Sequence, residues 1–256
     1  FIDGDKVICL VGGEGACVVA FDKKTGKELW KALNATEAGY SSPTIIEAAG
    51  KRQLLVWHPT SVNSLNPETG EKYWTVPLKA TNNCSIMVPV RSGNYLFVGG
   101  YDVVCKGLQL STEQPGATEL WTGDRKKGLY PVNAQPFVEG KHVYGVCTNG
   151  ELRCMEIATG KHVWGSFEPV GGKTAHCGTA FLVKNGERFF IFNELGELII
   201  AKISPTGYEE ISRAKVIAPT GNAFGRDLLY SAPSFANKKA FVRSDKELVC
   251  VSLAKE

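Results

Sequence analysis

The side chains best equipped for chemistry in this 256-residue chain are eight cysteines and four histidines. The cysteines stand at positions 9, 17, 84, 105, 147, 154, 177 and 250, and no two make a Cys-x-x-Cys pair. Zinc-ribbon, thioredoxin-like and haem-attachment chemistry need that spacing and are excluded. His176 beside Cys177 raises a base–nucleophile dyad. Neighbours on a strand point to opposite faces, so such a pair works only on an irregular loop, and a structural role is the better reading. No Asp or Glu run has the spacing of a calcium loop. Neither a catalytic residue nor a metal site is expected.

Eight cysteines in 256 residues are too dilute for a disulfide-built scaffold. Most read as small buried apolar residues. Two pairs are disulfide candidates, Cys9 with Cys17 and Cys147 with Cys154, each flanking one hairpin turn. The second pair lies diagonally if Asn149-Gly150 is a two-residue loop. The formal charge is +3 with no stripe of Lys or Arg, which argues against nucleic acid as a partner. No apolar run reaches the 18 or so residues of a membrane span. The chain opens on Phe1, so the reading is of a processed or shortened piece whose signal segment is not in view.

The elements that position these residues come in repeats. FDKKTGKELW at 21 returns as LNPETGEKYW at 65 and MEIATGKHVW at 155. With Trp121 included, the tryptophans 30, 74, 121 and 164 are separated by 44, 47 and 43 residues. A fifth copy keeps Thr206-Gly207 and puts Ile211 at the Trp position, and a sixth ends before its turn. Ahead of each copy lies a second recurring element, such as NAQPFVEGKHVYGV at 133. Each unit thus holds four short β-type runs separated by Gly-bearing turns, with Asn149-Gly150 the plainest hairpin signal. Four antiparallel strands per ~45 residues is the sequence form of a β-propeller blade. The approximate repeats are 1–40, 41–84, 85–131, 132–177, 178–230 and 231–256, read as one all-β propeller domain over 1–256. About five and a half to six blades are present.

The repeated residues have physical roles. Gly26, Gly70, Gly160 and Gly207 suit a positive-φ turn position between third and fourth strands. Six residues earlier stand Ala20, Ser64, Cys154 and Ala201, small enough to leave room for an indole packed against a neighbouring blade. The motif Ala/Ser-x-Asp/Asn-x-x-Thr-Gly-x-x-x-Trp resembles the tryptophan-docking motif of quinoprotein-like propellers, the pyrroloquinoline quinone-like repeat family. It is carried by Ala20, Asp22, Thr25, Gly26 and Trp30, by Ser64, Asn66, Thr69, Gly70 and Trp74, and by Cys154, Glu156, Thr159, Gly160 and Trp164. The copy ending at Trp121 has one extra residue. The resemblance implies an eight-bladed ring of about 360 residues, so N-terminal blades are expected to be missing; a closed six-bladed ring is the alternative.

In a propeller the loops at one mouth converge. Tyr40, His58, Asn83, Tyr130, Asn133, His176 and Tyr230 lie in such loops and are the ligand-binding candidates, suited to a small polar ligand or a protein partner. The resemblance extends to outer-membrane assembly scaffold propellers. It implies a non-catalytic binding or assembly propeller of the bacterial cell envelope, periplasmic or secreted. The alternative is a fragment of a pyrroloquinoline quinone-dependent dehydrogenase. No cofactor is expected, since the chain lacks the vicinal Cys-Cys pair and the calcium ligand cluster that the quinone would call for.

Overall fold

Short alternating runs between glycine-bearing turns favour antiparallel hairpins, and hairpins recur from end to end. The computed structural model describes residues 1–124 and 126–254, and those residues contain no α-helix. The first sheet takes β1 (Ile2–Asp3), β2 (Lys6–Leu10), β3 (Val18–Asp22) and β4 (Glu28–Ala32) in chain order. The second takes β5 (Thr44–Ala48), β6 (Lys51–His58), β7 (Ser61–Leu65) and β8 (Lys72–Pro77). The third is β9 (Val90–Ser92), β10 (Tyr95–Gly100), β11 (Val104–Leu110) and β12 (Ala117–Thr122). The fourth is β13 (Phe137–Glu139), β14 (His142–Val146), β15 (Leu152–Glu156) and β16 (His162–Ser166). The fifth is β17 (Ala180–Asn185), β18 (Arg188–Asn193), β19 (Glu197–Ser204) and β20 (Gly207–Lys215). A separate hairpin, β21 (Gly221–Ala223) with β22 (Arg226–Leu228), precedes a three-stranded sheet of β23 (Ser234–Ala236), β24 (Lys239–Arg243) and β25 (Leu248–Ser252). Each larger sheet is an up-and-down meander, and the chain is all-β with four-stranded antiparallel propeller blades.

One irregularity recurs between third and fourth strands. Ala20 faces Trp30, Ser64 faces Trp74, Gly107 faces Trp121 and Cys154 faces Trp164, and the register slips immediately after each pair. The slip extrudes one residue of the outer strand, namely Leu29, Tyr73, Leu120 and Val163. A β-bulge of this kind leaves one residue unpaired and sharpens the local twist. Here it turns the tryptophan inward and leaves Leu29, Leu120 and Val163 exposed. The fifth sheet differs. Ser212 faces Ile200 and Glu210 faces Ala201, so Ile211 is itself the extruded, exposed residue and does not occupy the place of a tryptophan.

The small residues therefore face the indole of their own sheet, and the far side of that indole meets the next turn. A Cβ added to Gly70 would sit 2.6 Å from Cε3 of Trp30, and one added to Gly160 would sit 2.7 Å from Cδ2 of Trp121. Both glycines also have positive φ, 76° and 69°, so geometry and space both demand glycine. Trp30 Nε1 donates to Pro67 O at 3.3 Å, Trp121 Nε1 to Ile157 O at 3.0 Å, and Trp164 Nε1 to Ser204 O at 2.8 Å. Trp74 departs from this pattern. Its Nε1 donates to Gln53 Oε1 at 2.9 Å, where Ser64 Oγ also donates, and Gln53 Nε2 closes the set on Ala48 O.

Neither expected disulfide forms. Cys9 faces Val19, while the carbonyl of Cys17 accepts the Val11 N–H, so the sulfurs do not lie across from each other. Cys147 N donates to Glu151 O, whereas Cys154 faces Trp164 in the core. Burial pushes the Cys17 thiol up to about 11 and the Cys154 thiol up to about 12.

The chain forms two compact units. One comprises Phe1–Tyr130 with Val138–Lys141 and Glu156–Lys161; the other comprises Pro131–Phe137, His142–Met155 and the chain from His162 onward. In the first, Ile8, Val18, Trp30, Leu54 and Leu65 form one core cluster, and Leu55, Trp57, Trp74, Leu96 and Leu108 another. In the second, Tyr144, Leu152, Phe189, Ile191 and Ile199 form the main core. Burying such a side chain contributes roughly 1.5–3 kcal/mol.

Candidate functional site

Three of the seven sequence-nominated residues, Asn133, His176 and Tyr230, come together in the second unit around an ion pair. Glu194 lies in the turn between β18 and β19 and is only 1% exposed. Arg226, the first residue of β22, grips it with a fork: Nε donates to Oε1 at 2.8 Å and Nη2 to Oε2 at 3.1 Å. Thr179 N donates to the same Oε2 at 3.0 Å, and the Thr179 hydroxyl donates to Oδ1 of Asn133. The backbone reinforces the pair, since Glu194 N donates to Thr179 O and Leu229 N donates to Glu194 O. A buried carboxylate is tolerable only with such a full set of donors.

Around this pair stand aromatic groups. The Phe224 ring, at the tip of the β21–β22 hairpin, is about half exposed. The guanidinium of Arg226 lies 5.8 Å from its centroid, and the His176 ring meets it edge-on at 5.0 Å. Tyr230 donates its hydroxyl to Cys177 O. Burial first, then the nearby Cys177 and Glu194, pushes the Tyr230 phenol up to about 12, so it is a neutral donor at ordinary pH. The bonds to Glu194 raise Arg226 above its ordinary value. The His176 Nε2 to Cys177 Sγ distance is 3.7 Å, on a backbone where Cys177 has φ of 53°. The irregular loop needed for that approach is present, and Cys177 is buried while His176 is exposed.

The other four nominated residues belong to the first unit. Tyr40 is largely exposed, and its backbone N–H donates to Ser85 O at 2.9 Å. Asn83 closes a 3-10 turn over Thr81–Asn83, with φ of 59°. Tyr130 is buried, its hydroxyl donating to Lys127 O. His58 is buried too, and burial lowers its pKa. Its Nδ1 lies 3.4 Å from Thr60 N, which must donate, so Nε2 carries the proton and points it at Ser61 Oγ, 3.2 Å away. That tautomer cannot act as a base toward Ser61. Asn63 then links Ser61 to Thr75, and these groups border a cleft of about 420 Å³.

Glu194 and Arg226 stand in loops that the sequence places at the propeller mouth, but neither they nor Thr179 are among the seven binding candidates. The one signal available was their place in loops between alternating runs; the pairing across 32 residues has no periodic signature. The described residues include no group of three His, Cys, Asp or Glu placed to hold a metal ion. No helix among them is long and apolar enough to cross a membrane.

The repeat geometry has a family counterpart. A family profile described as outer membrane protein assembly factor BamB matches residues 1–123 and, again, 58–256. The chain belongs to this family. It is similar to the outer membrane protein assembly factor BamB of Shewanella oneidensis, 24% identical over 161 residues, or 60% of this chain and 40% of that protein. The protein of the same name from Moranella endobia is 26% identical over 194 residues, covering 69% of this chain and 44% of the relative. The matches thus span about two fifths of these relatives' length. Among solved structures, BamB from Moraxella catarrhalis superposes with a TM-score of 0.64 at 19% identity, covering 98% of this chain and 70% of that one. The computationally designed Ika8 protein superposes at 0.58 with 13% identity, over 99% and 70% of the two chains. Both likenesses are ones of fold.

Proposed function

We propose that this chain is a non-catalytic binding and assembly propeller of the cell envelope, working in the periplasm on a protein partner. The observation that carries the reading is the family match across both halves of the chain, whose curated relatives are named outer membrane protein assembly factors. The site chemistry is in keeping with it. Arg226 and Glu194 neutralise one another, Tyr230 is held protonated, and His58 carries its proton on the wrong nitrogen for a nucleophile. Such groups fix loops in place; rigid loops presenting aromatic and amide groups suit recognition. On this reading Asn133, His176 and Tyr230 belong to a recognition face, with Phe224 beside them. The contacts of Trp30 with Gly70 and of Trp121 with Gly160 act as the docking latches that hold the blades. The whole domain is one propeller, and no cofactor is required.

Deleting the gene in its source organism tests the proposal. The expected result is a fall in folded outer-membrane β-barrel proteins, restored by a plasmid copy. Unchanged barrel levels would sink the assembly role. Titrating the chain with pyrroloquinoline quinone and calcium tests the dehydrogenase alternative, with a flat tryptophan fluorescence response expected.

A further inference from the structure

A second concave surface in the second unit lies away from the Glu194–Arg226 cluster, between the β17–β18 hairpin and the β23–β24 hairpin. It is a groove of about 400 Å³, within the range of small-molecule sites. Its floor is the Phe190–Phe235 pair, stacked at 5.0 Å with an interplanar angle of 24°. Both rings are half-buried, so part of each remains accessible from the groove that they line. Asn185, Asn237, Lys238 and Lys239 complete the wall, and among the described residues no Asp or Glu lines it. Lys184 also borders the groove, with its ammonium over the Phe137 and Phe189 rings. The positive charge comes from Lys238 and Lys239, neither of which forms a salt bridge among the described residues.

The turn that carries Lys238 breaks a local rule. Ala236 pairs with Lys239, so Asn237-Lys238 is a two-residue loop, with φ of 50° and 58°. Asn suits the first left-handed position of such a hairpin, but the second normally takes Gly. A lysine held left-handed costs stability that a glycine would not. Departures of this sort concentrate where a side chain serves function. Here the departure places a cation at the lip of an aromatic-floored groove.

We propose that this groove binds a small aromatic carboxylate, the ring lying against Phe190 and Phe235 and the carboxylate meeting Lys238 and Lys239. Charge complementarity selects the anion and the stacked rings select a planar body. The test uses 4-fluorophenylacetate followed by ¹⁹F line broadening, with the amide shifts of Asn237 and Lys238 as the site readout. Acetate and 4-fluorobenzyl alcohol are the ring-free and charge-free controls. The expected result is saturable binding with Kd on the order of 1 mM, and no saturation by either control. Lys238→Gly should raise Tm, because glycine relieves the left-handed turn, yet weaken binding roughly tenfold. Phe235→Leu should weaken it by a similar factor. Equal binding of the alcohol, unchanged affinity in Lys238→Gly, or shifts confined to residues outside the β17–β18 and β23–β24 hairpins would each overturn the proposal. Absence of saturable binding on the folded chain would do so too.

Discussion

Trp121 and Gly160 are in van der Waals contact so close that the glycine has no room for a single methyl group, the nearest ring atoms lying 2.7 Å from where a Cβ would sit. Gly26 occupies the equivalent turn with nearly the same φ, 71° against 69°, but has nothing within 4 Å. The two sites separate backbone strain from steric contact. Gly26→Ala should cost about 1 kcal/mol, the left-handed penalty alone. Gly160→Ala should cost about 2–4 kcal/mol, because strain and overpacking add. Urea unfolding of the two variants decides it, and equal losses would mean that the indole contact contributes nothing.

Breaking the Arg226–Glu194 pair from one side should be expensive. Arg226→Ala leaves a carboxylate that is 1% exposed without its fork, and a loss of about 3–5 kcal/mol is expected. The double change Arg226→Met with Glu194→Leu should recover most of that. A double variant no more stable than Arg226→Ala would contradict this account.

The buried amide that holds the Trp74 indole gives a third test. Gln53→Leu removes the shared acceptor of Trp74 Nε1 and Ser64 Oγ, leaving two buried donors unsatisfied. The expected loss is about 1–3 kcal/mol, read from the denaturation midpoint, and Gln53→Glu should cost at least as much, because it buries an unpaired carboxylate against Ala48 O.

Acid should weaken the fold through His58 before the carboxylates matter. Burial lowers its folded pKa below the unfolded value near 6.5. Below about pH 6.5 the unfolded chain therefore binds more protons, and stability falls as pH drops through that window. His162, lowered mainly by burial, acts with the same sign. His58→Asn should flatten the Tm-against-pH curve between pH 7.5 and 5, and a slope identical to the parent chain would rule His58 out.

Thiol reactivity should sort by burial. Cys250 is exposed on β25 and should react with a disulfide reagent within minutes in the native state. Cys17 and Cys154, pushed up to about 11 and 12 by burial, should react only on unfolding. Mass mapping of early adducts checks the order.

The repeat itself was legible in the amino-acid sequence: the turn glycines, the facing small residues and the tryptophans recur at fixed steps, because each blade must close the same local hairpins and fill the same space. Periodic constraints leave periodic marks. Much of the rest has no such mark. Trp74 matches the repeat in letters, yet a glutamine 21 residues earlier captured its indole N–H. Ile211 aligns with a tryptophan, but a bulge displaced by one position extruded it. Asn133, His176, Tyr230, Glu194 and Arg226 were all legible as loop residues, while the pairing of Glu194 with Arg226 was not. A contact across 32 residues depends on how two loops are carried toward each other by the sheets beneath them. The sequence by itself determined the strands, their turns and the meander, which are local and repeated. Only the tertiary structure decided which polar loop residues meet, since burial and pairing are properties of the assembled loops rather than of any one segment.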